Sequence, residues 1–261
     1  MFEFHKDRKR YFDMQVENTI AYVLPFLEQT KKMKPGMRVL EIGCGEGGVL
    51  KPFIDKGCIT VGVEFDEIRL ENANEWMAEE VADGKALFIP KDIYLTSPEE
   101  LGGKFDLIIL KDVIEHIFDQ PKLFKRMKEM LLPEGVIFFG FPPWQMPFGG
   151  HQQVMQHKLL SKVPYTHLLP KPLYRQLIKM GGMDPAEFLE IYDTRISIER
   201  FERITAETGY QIQNRLLYFI NPIYKYKFNL RGRKQAKIIA NIPWFRNFFT
   251  TCAYYTIAIK G

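Results

Sequence analysis

V-L-E-I-G-C-G-E-G-G, residues 39–48, is the stretch on which the reading of the fold turns. Gly43, Gly45 and Gly48 satisfy the spacing G-x-G-x-x-G of a strand-to-helix turn that brings bare backbone against a ligand. Gly47 lies in the same loop. Two residues ahead of the first glycine, where a phosphate-binding strand is normally apolar, stands Glu41. Beside a pyrophosphate this carboxylate would be repelled by about 4 kcal/mol at ~4 Å and an effective dielectric near 20. Beside an ammonium or a sulfonium the sign reverses. The ligand expected here is therefore a cationic nucleoside and not a dinucleotide.

Working outward from the loop, strands alternate with helices. A helix is expected over 11–35, ended by Pro35-Gly36, followed by a strand over 37–42, the glycine loop, and a short helix stopping at Gly57. Strands over 59–64, 86–89, 105–110 and 136–141 follow. Helices lie between them, one over 66–79 with Ile68, Ala73, Trp76 and Met77 inward, another opened by Pro121 with Leu123, Phe124, Met127 and Leu131 inward. Near-continuously apolar strands alternating with helices mean a parallel sheet covered on both faces. The pattern breaks at 142–194, which holds no clear strand and is too long for a structureless loop, so it reads as an inserted helical lid. Regularity returns with a helix capped by Ser197 and stopped by Gly209, a strand over 210–220, a basic insertion to about 247, and a last strand near 252–259. The expected fold class is α/β: a doubly wound, mostly parallel, seven-stranded Rossmann-like sheet with a terminal antiparallel strand and an inserted helical lid. The organisation expected is an N-terminal helix and ligand-binding core over 1–141, a lid over 142–194, and a completion of the sheet over 195–261.

The bulk properties narrow the class. Hydrophobic residues at 46% and charged residues at 26% of 261 describe an ordinary globule. No apolar run approaches the roughly 20 residues that cross a bilayer, and the first ten residues carry charges with no apolar stretch behind them, so no cleaved leader is expected. Cys44, Cys58 and Cys252 have unrelated spacings, which argues against a disulfide framework and for a reduced, cytoplasmic setting. The net charge of +4 hides an asymmetry: residues 209–261 hold nine Lys or Arg and no acid, leaving 27 basic against 32 acidic residues elsewhere. An acidic body thus carries a basic tail.

S-adenosylmethionine offers the ammonium and sulfonium that Glu41 asks for. Its ribose hydroxyls suit the carboxylate of Glu64 at the end of the second strand, and its adenine amino group suits Asp92 past the third, with Phe65 and Ile93 as apolar faces for the ring. V-L-E-I-G-C-G-E-G-G, V-G-V-E, K-D-I and F-D-L-I-I-L-K-D-V-I-E-H, in this order over about residues 35–140, resemble the successive signature segments of class I S-adenosylmethionine-dependent methyltransferases. The final helix, strand, insertion and strand are similar to that family's closing reversed hairpin. Matched residue by residue, the resemblance implies cofactor contacts from Glu41, Gly43, Cys44, Gly45, Glu64, Phe65, Asp92, Ile93 and Lys111, with Gly47 in the same cradle.

Methyl transfer is an in-line displacement at an activated carbon, so a base is needed only where the acceptor loses a proton. His116 and His151 are the residues assigned to that role; His157, Tyr165 and His167 are further candidates on the lid. Asp112, Glu115 and His116 form a D-x-x-E-H cluster similar to one in some quinone-pathway methyltransferases, where a hard cation orients a phenolic acceptor. We read it instead as a helix N-terminus satisfied by its own acids, and assign no metal. P-P-W-Q-M-P-F-G-G-H, with Trp144 and Phe148, is the expected acceptor mouth. The basic, aromatic stretch 225–246 admits three readings: a solvated face, a contact with anionic lipid, or RNA binding, the last with no recognition module in view. The expected activity is methyl transfer to a small or lipid-like acceptor at oxygen. Its rivals are a nicotinamide-dependent oxidoreductase, which Glu41 opposes, an RNA-directed methyltransferase and a cofactor-binding protein without catalysis.

Overall fold

The computed structural model describes residues 7–261. The first six residues, part of the stretch in which no leader segment is expected, lie outside the described residues. The chain opens with helix α1 (Arg8–Asn18), whose N-cap Asp7 accepts from the Arg10 amide at 2.9 Å. A wide π turn (Thr19–Val23) and a short α2 (Leu24–Leu27) continue it. Pro25 has no amide hydrogen for the preceding turn, which accounts for the widening there. The helix ends at Leu27, not near 35 as the sequence suggested, and the Thr30 and Lys31 amides close on the Leu27 carbonyl. Residues 28–34 bring only Met33 as an apolar side chain, too little to hold another two turns on the core.

There follow β1 (Arg38–Ile42), α3 (Lys51–Asp55), β2 (Ile59–Glu64), α4 (Glu67–Trp76), α5 (Ala78–Ala82), β3 (Ala86–Pro90), β4 (Phe105–Lys111), α6 (Gln120–Met130) and β5 (Leu131–Phe141). The expected helix over 66–79 is thus broken at Met77. Its buried stripe is Leu70, Ala73 and Met77, whereas Ile68 is 61% exposed. Spacings of three and four residues place those three on one face, and Ile68 falls off it. Strand β5 starts earlier than expected, because Leu131 already pairs with Phe105 and residues 132–135 are taken up as a bulge before Val136 meets Leu107.

Segment 142–194 contains short 3-10 turns and two helices, α7 (Lys171–Met180) and α8 (Pro185–Thr194). Trp144, Tyr174, Ile178, Phe188 and Tyr192 form a separate apolar cluster within it. Helix α9 (Ile198–Glu207) begins at Ser197, whose hydroxyl accepts from the Arg200 amide at 3.1 Å. It leads to β6 (Tyr210–Ile220), α10 (Tyr224–Phe228), β7 (Arg233–Lys234), α11 (Lys237–Ala240), α12 (Phe245–Phe248) and β8 (Cys252–Ile259).

The sheet order is β3-β2-β1-β4-β5-β8-β6-β7. The first five strands are parallel and β8 runs antiparallel to both β5 and β6. Eight strands replace the expected seven because two residues of the basic insertion pair with the end of β6. Alternate residues face opposite cores: Leu40, Ile108 and Ile137 join one, Val39, Leu107 and Phe138 the other. Strand order reverses between β1 and β4, so the crevice past their carboxyl ends is the place for a ligand.

Candidate functional site

The turn after β1 is built from residues in the left-handed region, Gly43 at φ +72°, Gly45 at +53° and Gly47 at +81°. A Cβ on Gly43 would lie 2.6 Å from Val113 Cγ2, and one on Gly48 2.6 Å from the Phe12 carbonyl oxygen. The fingerprint therefore serves close approach on two sides, by the segment after β4 and by α1. Between them lies a cavity of about 100 Å³ lined by Glu41, Gly43, Cys44, Gly45, Lys111 and Asp112 together with Tyr11, Gln15 and Arg69.

Glu41 is buried and its Oε2 has no hydrogen-bond partner among the described residues. Burial pushes its carboxyl well above the usual carboxylate range, the neighbouring Glu64 and Asp112 add to this, and Lys111 opposes it. Lys111 is itself buried, with Nζ 2.8 Å from Asp112 Oδ2. Burial works against its charge, but Asp112 outweighs it and raises the ammonium pKa. Asp112 takes φ +57°, unusual for a residue with a side chain, and donates its amide to the Gly140 carbonyl at 2.7 Å. Burial raises and Lys111 lowers the Asp112 carboxyl, and the ion pair prevails.

The other expected cofactor residues are placed differently. Glu64 is buried but does not line this cavity; Oε2 accepts from the Gly45 amide at 3.1 Å and Oε1 from those of Phe65 at 2.9 Å and Asp66 at 3.2 Å. It anchors the glycine turn to the end of β2. Phe65 is 81% exposed, Ile93 is buried in the sheet core, and Asp92 accepts from the Tyr94 amide at 2.9 Å. Gly47 backs onto Met77 and Phe88, not onto the cavity.

Of the proton-transfer candidates, the rings of His116 and His151 lie 5.8 Å apart. Burial, reinforced by His116, pushes His151 down to about 4, so it is a neutral imidazole at pH 7. His116 Nδ1 is 3.5 Å from Glu190 Oε1. His167 is buried with Nε2 2.7 Å from the Trp144 carbonyl, which makes it a strut of the 142–194 segment. His157 is exposed and accepts from the Leu160 amide, and the Tyr165 hydroxyl donates to the Phe248 carbonyl. Asp112, Glu115 and His116 do not converge: Asp112 is paired with Lys111, His116 faces Glu190, and Glu115 is buried, its Oε2 without a hydrogen-bond partner among the described residues. Among the described residues no group of three or more His, Cys, Asp or Glu is placed to hold a metal ion.

Sequence reasoning missed two contributions. The first is α1, whose Tyr11 and Gln15 close the cavity; the signal was a pair of polar residues, Gln15 and Asn18, on the buried face beside Phe12 and Met14. The second is α10. Its Lys227 comes from the basic stretch, yet it lies near Asp112 and Lys111 and 5.2 Å from the Tyr11 ring centroid. Burial lowers its pKa to about 8.

A parallel sheet closed by an antiparallel strand, with a buried carboxylate two residues before a bare glycine turn at the switch point, defines a nucleoside-binding enzyme fold that favours a cationic ligand. The comparisons agree. A family model described as "Methyltransferase domain" matches residues 12–212. An uncharacterized methyltransferase of Mycobacterium sp. (strain JLS) is 28% identical over 154 residues, covering 59% of this chain and 58% of that protein. A ubiquinone biosynthesis O-methyltransferase of Bartonella bacilliformis is 26% identical over 164 residues, covering 60% and 63% respectively. The matches thus span about three fifths of the length of these curated relatives. In fold, the chain resembles a cyclopropane synthase from Mycobacterium tuberculosis (TM-score 0.59, 18% identity, 92% of this chain and 83% of that one). It also resembles the magnesium protoporphyrin IX methyltransferase of Synechocystis PCC 6803 with bound S-adenosylhomocysteine (SAH), at TM-score 0.56 and 15% identity, covering 95% and 84%. The chain belongs to the class I S-adenosylmethionine-dependent methyltransferases, and its cofactor is S-adenosylmethionine. The residues fit that group: the unpartnered Glu41 Oε2 is an acceptor suited to its cationic end, and the glycine turn leaves room for close approach.

Proposed function

We propose that this chain transfers a methyl group from S-adenosylmethionine to an oxygen of a small or lipid-linked acceptor. The observation that carries the reading is Glu41, a buried carboxylate with an unsatisfied oxygen set against bare glycine backbone at the switch point. The cofactor supplies a carbon already activated by its sulfonium. What falls to the protein is to hold it, orient the acceptor and keep water out. Glu41, Gly43, Cys44, Gly45 and Lys111 hold the cofactor, with Glu64 fixing the turn; Gly47, Phe65, Asp92 and Ile93 complete the cradle only if the β2 and β3 ends close on the ligand. Oxygen as acceptor atom is supported by the name of the Bartonella relative and by His151, a neutral imidazole beside His116 that takes the hydroxyl proton as the oxygen–carbon bond forms.

In this reading residues 1–141 bind the cofactor, 142–194 cover the acceptor and 195–261 complete the sheet. The basic insertion supports a contact with anionic membrane: Arg231, Arg233, Lys234 and Lys237 are exposed beside Ile238 and Trp244, 80% and 62% exposed. Lys227 and Arg246 are not part of that face. Arg246 is buried, bonded to Glu199 at 2.9 Å and Glu202 at 2.8 Å. No helix among the described residues is long and apolar enough to cross a membrane, and three buried free cysteines suit a reducing, cytoplasmic compartment. The test is transfer of label from methyl-tritiated cofactor into fractionated small-molecule and lipid extracts. Label in an ether-type product, lost in His151→Ala, is expected; label that appears only in RNA or nowhere refutes the reading.

A further inference from the structure

We propose that a second cavity, between the 148–162 segment and α10, is the acceptor chamber and selects an acceptor with an apolar body and an anionic group, such as a carboxylate or phosphate. The inference rests on the methyl-transfer reading and adds the chemical class of the acceptor. The cavity measures about 480 Å³, within the roughly 300–1,000 Å³ typical of small-molecule sites. Phe148, Met155 and Phe228 supply apolar walls, and Lys158 and Lys162 supply two ammonium groups with no carboxylate among the lining side chains. The two lysines are four residues apart across the 3-10 turn Leu160–Lys162. The floor is fixed, since Met155 is buried against Gly181 and the Gln156 amide donates to the Gly181 carbonyl at 3.0 Å.

Helix α10 joins this chamber to the methyl-transfer cleft. Phe228 faces the chamber, Lys227 lies near Asp112 and Lys111 of the cleft, and the Tyr224 hydroxyl lies close to Gln153, another lining residue. His151 stands two residues before Gln153. An acceptor lying along α10 with its anion on the two lysines would therefore direct its opposite end toward His151 and the cleft. Two cations with no counter-charge among the lining residues at the rim of an apolar hollow discriminate by charge complementarity. A neutral apolar molecule leaves them unpaired, and an anion without an apolar body leaves the walls wet.

The test is fluorescence titration of the whole chain with 8-anilinonaphthalene-1-sulfonate and with N-phenyl-1-naphthylamine, which has the same aromatic body without the anion. The sulfonate should bind in a salt-sensitive manner. In Lys158→Gln/Lys162→Gln its affinity should fall about tenfold while the neutral dye is unaffected, and Phe228→Ala should weaken both. Displacement of the sulfonate dye by decanoate marks a free amphiphile as the source of the anion, and displacement by soluble dihexanoyl-phosphatidylglycerol alone marks a lipid headgroup. Unaltered sulfonate binding in the double variant, equal loss of both dyes, or displacement by neither competitor overturns the proposal. Thermal melts and calorimetry with SAH on the same variants keep the two readings apart: both should match the wild type, and absence of SAH binding by the wild type would sink the methyl-transfer reading instead.

Discussion

Replacing Glu41 by Gln preserves the volume of the buried side chain and removes the charge proposed to meet the cationic end of the cofactor. Attraction between a carboxylate and a cation about 4 Å apart at an effective dielectric near 20 is about 4 kcal/mol, which is the ceiling on the loss. Part of it is consumed in ionising a carboxyl that burial holds well above its usual range. The expected weakening of S-adenosylmethionine binding in Glu41→Gln therefore lies between about tenfold and about a thousandfold, taking 1.4 kcal/mol per decade. The same geometry predicts a proton linkage. A cation placed against Glu41 lowers the carboxyl from its raised value in the free protein, so binding releases a proton wherever the pH falls between the two. Affinity should then rise with pH across that window, and the variant should show neither release nor slope. Calorimetric titration in buffers of different ionisation enthalpy reads both. Binding by Glu41→Gln within threefold of wild type, with unchanged proton release, would refute the assignment.

Glu64→Ala leaves the Gly45, Phe65 and Asp66 amides without their acceptor; the expected cost is about 2–4 kcal/mol, or roughly 5–10 °C in melting temperature, with weaker cofactor binding, and an unchanged melt would show the anchor to be idle. Burial holds both His151 and His167 down to about 4, against about 6.5 in an unfolded chain. Each therefore takes up a proton in the unfolded state first, so their stabilisation is whole above about 6.5 and drains away as the pH falls toward 4. Thermal melts between pH 7.5 and 4.5 should trace that decline, with His151→Gln/His167→Gln flattening it; an equally steep curve in the double variant would contradict the assignment. Liposome flotation tests the basic face: changing Arg231, Arg233, Lys234 and Lys237 to Gln should remove about 4 kcal/mol of attraction to phosphatidylglycerol vesicles at about 1 kcal/mol per residue, and wild-type flotation that ignores salt would count against the contact.

The order of strands and helices, the glycine turn and the carboxylate before it were legible because each is written in neighbouring residues. Period-two and period-three-to-four patterns placed the strands over 59–64, 210–220 and 252–259, and Ser197 as a cap followed from local chemistry alone. What lay beyond the sequence is the direction in which individual side chains turn, since that depends on partners far along the chain. Phe65, the residue expected over an adenine ring, is 81% exposed, while Glu64 before it is held by the amide of Gly45 in the glycine turn and by those of Phe65 and Asp66. A run of lysines and arginines reads alike whether solvated or folded back. Only the packing of α10 beside Asp112 brings Lys227 to the cleft, and only Glu199 and Glu202 draw Arg246 inward. Periodicity and turn chemistry act over a few residues and were settled by the chain's own order, while the burial of charges is a pairing between distant elements and was settled by the tertiary fold.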